Sequence, residues 1–223
     1  MFLLADVFVP SAFPAPELLE EEPTVQRVVS TINPSLDTYI DSDYPNDDYA
    51  GEDTGLLGAS GTSEARLLIS FPLNYASTDT IHSARLDLVC SNSGPTNGLV
   101  VYPASTSVTW DENATWSSRD GLLLWAEPGA DDGSDRSVWE PPVVTSPLGP
   151  SGGSSSVQLN VTALAQSAVV SGASALELLV AAHGSQYDCA MNETLNAADR
   201  PSLRVDSSTT TAGSGGQISP NFV

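Results

Sequence analysis

The sequence predicts an all-β fold, a jelly-roll-like β-sandwich with one short helix, an extended N-terminal arm and a C-terminal tail. Three observations lead there. Apolar residues recur with a period of two, as in residues 81–90, where Ala84, Leu86, Leu88 and Cys90 share one face and Ser83, Arg85 and Asp87 the other. Loops rich in Gly, Pro, Asn and Asp separate such runs, and the 223 residues include 17 Gly and 16 Pro. Only one stretch reads as a helix, and many short strands around one short helix describe a sandwich.

The elements follow in order. Residues 1–30 form an arm whose apolar side chains Phe2, Leu3, Leu4, Val7, Phe8 and Phe13 precede the acidic run Glu20, Glu21, Glu22. Residues 31–206 form the domain. Its strands are expected at 38–41, 66–71, 81–90, 99–102, 122–126, 157–161, 176–182 and 202–205. The helix is expected to start at Asn160 or Thr162, either of which can cap it, and to run through Ala163, Leu164 and Ala168 to Gly172. Residues 207–223, rich in Ser, Thr and Gly, read as a flexible tail. Pro10, Pro14 and Pro16 keep the arm extended, and its apolar strip is expected to dock on another copy of the chain or on a capsid or tail subunit.

Charge narrows the function. Lys+Arg number 7, Asp+Glu 28, and the formal charge is −21 with a pI near 4.1. Such a surface repels phosphate backbones, so nucleic acid is excluded as a partner. No apolar run approaches the ~20 residues of a spanning helix, so no membrane insertion is expected. The chain has no lysine. Acidity of this kind suits a halophilic protein in brine, where screening is short-ranged, or an acidic extracellular protein. The N-terminus meets Asp6 and Pro10 early and has no Lys or Arg before Arg27, so no signal peptide is evident. A protein made without a leader yet composed for the exterior points to a virion surface, with an extracellular location as the other reading.

An ordered set of motifs now matters. Asp37-Thr38-Tyr39-Ile40-Asp41 is followed by Tyr44-Pro45-Asn46 and Tyr49-Ala50-Gly51. Arg66-Leu67-Leu68-Ile69-Ser70-Phe71 precedes Asp79-Thr80-Ile81-His82-Ser83-Ala84-Arg85-Leu86-Asp87-Leu88. Then come Val101-Tyr102, Trp110-Asp111-Glu112-Asn113-Ala114-Thr115-Trp116, Asn160-Val161-Thr162, and Ala197-Ala198-Asp199-Arg200-Pro201-Ser202-Leu203-Arg204-Val205. Over residues 31–206 this series resembles the DNRLRE domains, extracellular β-sandwiches grouped with carbohydrate-binding modules. The resemblance implies a non-catalytic sandwich with surface glycans as partners. Asn160 in place of Asp, and the long loop 127–156, depart from it.

Candidate sites are of three kinds. Trp139, Trp125, Trp116 and Tyr102 could stack on sugar rings, and in the family the loop tryptophans Trp110 and Trp116 instead look structural. Asp37, Asp41, Asp43 and Asp47 lie in the densest oxygen cluster, and the only cofactor expected from it is a structural calcium; residues 127–135 form a second acidic turn. Cys90 and Cys189, the only cysteines, are expected to lie close. They are either a disulfide or, if assembly occurs in a reducing cytosol, two buried thiols. Sequons occur at Asn113, Asn160 and Asn192.

No enzyme is expected. His82 and His183 have no nucleophile, metal-pair or phosphate-loop motif around them. The expected function is therefore an exterior structural or adhesion protein with glycan binding, as a capsid decoration, turret or tail-associated subunit. The alternatives are a secreted carbohydrate-binding module and a subunit of a cell-surface filament or layer.

Overall fold

The computed structural model of the chain describes residues 24–92, 98–104, 109–136, 143–144, 154–182 and 186–211. The predicted docking residues Phe2, Leu3, Leu4, Val7, Phe8 and Phe13 lie outside them. The strands are β1 (Thr24–Ile32), β2 (Leu36–Asp41), β3 (Thr54–Ser60), β4 (Ser63–Pro72), β5 (Thr80–Asn92), β6 (Leu99–Pro103), β7 (Val143–Val144), β8 (Ser154–Asn160), β9 (Ala175–Ala182), β10 (Gln186–Ala190) and β11 (Ser202–Thr211). One helix, α1 (Thr162–Val170), follows β8. Every pairing is antiparallel, and the order is β1-β11-β5-β10-β3-β4-β9-β6-β7, with β2 on β4 and β8 on β5.

Alternation explains how this path closes into two layers. Leu67, Ile69 and Phe71 of β4 and Leu176, Leu178 and Val180 of β9 meet Ala84, Leu86 and Leu88 of β5, Val157 and Leu159 of β8, and Leu203 and Val205 of β11. Leu164, Ala165 and Val169 of α1 pack into the same core. The opposite faces of β2, β4 and β9 are also buried. Ile40, Leu68, Leu179 and Ala181 pack under Trp110, Ala114, Trp125 and Ala130 from the loop at 109–136. A sheet covered on both sides needs apolar residues at successive positions, hence the unbroken Leu67-Leu68-Ile69 run.

Several expectations are corrected. The sheet begins at Thr24, inside the segment read as an arm, and ends at Thr211, inside the segment read as a tail. Residues 122–126 are not a strand. The Asp120 carboxylate accepts the N–H groups of Leu122 (2.9 Å) and Leu123 (2.6 Å) and turns the chain, leaving Leu122 and Leu124 exposed. Val161, rather than Asn160 or Thr162, stands at the N-cap position of the helix, with no side-chain cap hydrogen bond. Asn160 Oδ1 instead accepts the N–H and hydroxyl of Thr162. At the other end Gly172, at φ +72°, donates to the Val169 carbonyl and Ala173 to that of Ala168, a Schellman stop.

Cys90 and Cys189 stand directly opposite each other on β5 and β10, with Cα atoms 4.0 Å apart, and form a disulfide. The bond closes a sequence separation of 99 residues. In the chain-entropy account that is worth about 4–5 kcal/mol. Replacing both cysteines by alanine should lower the melting temperature by roughly 10 °C, read by differential scanning calorimetry. An unchanged melt would contradict this.

Asp37 shares the buried side of β2 with Tyr39, whose ring stacks on Tyr49 at 3.9 Å. Its Oδ2 accepts the Asn192 N–H at 2.8 Å, with Glu193 and Glu112 nearby. Burial, the larger effect, pushes its carboxyl up to about 7, although the Asn192 N–H pulls the other way. A raised folded-state value means that the stability linked to this group is present at pH 4 and lost as pH rises through 7. Asp37→Asn should therefore match the parent near pH 4 and be more stable at pH 8, by on the order of 2–4 kcal/mol in urea unfolding. A variant less stable at pH 8 would refute the assignment.

Candidate functional site

Among the described residues, Trp116, Trp125 and Tyr102 do not form an open platform. Trp125 is buried and donates its indole N–H to the Thr115 carbonyl at 2.8 Å, so it belongs to the loop's own core. One face of Trp116 is covered by the Arg66 guanidinium, 5.1 Å from the ring centroid. Gly129 presses on the same ring: a Cβ there would lie 2.6 Å from it, and φ is +81°. Tyr102 is covered by Arg136 at 4.0 Å. Trp139 lies outside the described residues.

Three of the four predicted calcium ligands, Asp37, Asp41 and Asp43, are likewise engaged one by one. Asp37 and Asp41 are buried, and Asp41 Oδ1 accepts the Asp43 N–H at 2.9 Å. Asp43 accepts the Ser63 hydroxyl, while Asp47 is exposed. In the second acidic turn Asp131 pairs with Arg66 and Arg136, and Asp135 accepts the N–H groups of Ala126 and Glu127. Among the described residues no three carboxylate, imidazole or thiol groups converge as a metal site.

A different face carries an open groove. It measures about 690 Å³ and runs over the outer side of β1, β11, β5 and β8. Register places its side chains. Arg204 of β11 lies directly opposite Arg85 of β5, and Arg85 directly opposite Asn160 of β8. Gln158 and Asp206 project beside that row. On β5 the register slips between Asp206↔Ser83 and Ser207↔Ile81, so His82 is an extra residue. This bulge puts His82 on the exposed side together with Ser83, and its Nε2 lies 2.8 Å from Ser208 Oγ.

Electrostatics sets this face apart. The chain's seven basic residues are all arginines, and Arg27, Arg85 and Arg204 are three of them. Arg27 holds both carboxylate oxygens of Asp206, at 2.7 and 2.5 Å, which keeps Asp206 below the usual carboxylate range. Arg85 is paired to Asp87 at 2.8 Å. Arg204 is exposed and has no ion pair among the described residues. Like charges directly opposite in a sheet destabilise it, and an anion set against both guanidinium groups would relieve that. Sequence reading placed Arg85 and Arg204 on polar strand positions without joining them. Their meeting depends on the β5–β11 register.

Two solved virus structures, of infectious bursal disease virus Gx and Gt strains, are 13% and 14% identical, with TM-scores of 0.23 and 0.24. The alignments cover 92% of this chain but 42% and 43% of those chains, so the chain spans less than half their length. At such scores they carry no argument. No curated protein matches the chain. Residues 28–122, from β1 through β6 and into the covering loop, match carbohydrate-binding module family 96, which makes this part of the chain similar to a carbohydrate-binding module.

Proposed function

We propose that the chain is a non-catalytic carbohydrate-binding β-sandwich that holds an anionic glycan in the groove over β1, β11, β5 and β8. One observation carries the reading: Arg204 and Arg85 stand opposite each other, in a row with Asn160, in a chain of charge −21. Guanidinium groups recognise a carboxylate or sulfate through paired hydrogen bonds. The Gln158 and Asn160 amides suit neighbouring hydroxyls. The match of residues 28–122 to a carbohydrate-binding module family supports the ligand class. The protein's overall negative charge does not defeat this. At physiological salt the Debye length is about 8 Å, so distant carboxylates are screened while contact hydrogen bonds are not.

The setting we propose is extracellular, as a surface adhesion component, with the DNRLRE likeness over 31–206 as its family reading. The disulfide supports an oxidising environment. A virion surface subunit is the assembled form of this role.

Isothermal titration of the full chain against uronic-acid, sulfated and neutral polysaccharides tests the proposal. An acidic polymer should bind, and Arg85→Ala with Arg204→Ala should weaken it at least tenfold, about 1.4 kcal/mol. The isolated chain should release no new reducing ends. Unchanged affinity in the double variant, with loss in Trp116→Ala, would move the site to the covering loop.

A further inference from the structure

We propose that the outer edge of β1 pairs with β1 of a second copy of the chain, joining two sandwiches into one continuous antiparallel sheet across a two-fold axis. Among the described residues β1 has a strand on one side only, β11, which leaves its other row of backbone groups open. Proteins guard such edges with short strands, bulges, prolines or charged side chains. β1 is neither short nor bulged, contains no proline and carries one charge. It is nine residues long, Thr-Val-Gln-Arg-Val-Val-Ser-Thr-Ile, and its pairing with β11 is continuous from Thr24↔Thr211 to Ile32↔Leu203. Its single charge, Arg27, is closed against Asp206. Val25, Val28 and Val29 are 66%, 49% and 55% exposed.

A second copy fits this edge better than a foreign strand, and charge is the reason. Two chains of −21 repel each other over most of their surfaces. Among the described residues of this face the arginines Arg27, Arg85 and Arg204 outnumber the carboxylates Asp87 and Asp206, so this is where two copies can approach. An antiparallel pair of identical strands sets two charges opposite each other only when centred on the charged residue itself. Any register centred elsewhere places Arg27 against an uncharged neighbour. Val29 lines the groove, so pairing would also set two grooves edge to edge. The inference does not depend on what the grooves hold.

The test is sedimentation velocity of the full chain over a concentration series, at low and high NaCl. A monomer–dimer equilibrium is expected, shifting to dimer as salt screens the net repulsion. Val25→Lys with Val28→Lys, both exposed positions, should lose the dimer peak while keeping the parent's melting temperature. Phe2→Ser with Phe8→Ser and Phe13→Ser should keep it. A parent chain that is monomeric throughout overturns the proposal. So does a lysine variant that dimerises as the parent does. Loss of the dimer in the phenylalanine variant also overturns it, because the N-terminal segment is then the interface.

Discussion

Arg66 sits on the outer side of β4, nearly buried, and ties the covering loop to the sheet. It donates to the Gly129 carbonyl at 2.6 Å, pairs with Glu64 and Asp131, and lies over Trp116. Asp131 is shared with Arg136, which covers Tyr102. A buried guanidinium is tolerated only when its donors are met, and here a carbonyl, two carboxylates and a ring meet them. The loop at 109–136 is thereby held over Ile40, Leu68, Leu179 and Ala181. Without that cover the outer face of β4 and β9 would be an apolar sheet in water.

The arrangement divides the chemistry of the molecule. On the covered side, Trp110, Trp125, Asp131, Asp135 and Arg66 are engaged in building the loop. On the open side, Ser83, Arg85 and Asp87 of β5, Gln158 and Asn160 of β8, and Arg204 and Asp206 of β11 present polar side chains, and the bulge at His82 adds one more. The residue types that usually announce a sugar site lie on the first side. The convergent hydrogen-bonding groups lie on the second.

This division governs what the sequence could disclose. Alternation at 81–90 and 157–161 gave β5 and β8, and Gly172 marked the helix end, because each is a local signal. The run at 122–126 misled because three leucines resemble a buried strand, whereas the Asp120 carboxylate makes a turn of them. β1 went unseen because Thr24–Ile32 lacks clean alternation, and its status as a strand is given by β11. Trp116 and Trp125 are loop residues and Tyr102 is on β6, but residue type does not say which face of a ring is free. The Arg85–Arg204 row needed the register of strands more than a hundred residues apart, which neither residue signals by itself.

The central claim is that ligand recognition belongs to the open face and not to the tryptophan loop. Heteronuclear NMR of the full chain titrated with a uronic-acid oligosaccharide tests it most directly, because arginine Nε–Hε resonances report their own contacts. The account predicts saturable shifts at Arg85 and Arg204, with accompanying shifts at His82, Gln158 and Asn160 and little change at Trp110, Trp116 and Trp125. Shifts confined to residues 109–136, with Arg85 and Arg204 unmoved at saturation, would contradict it.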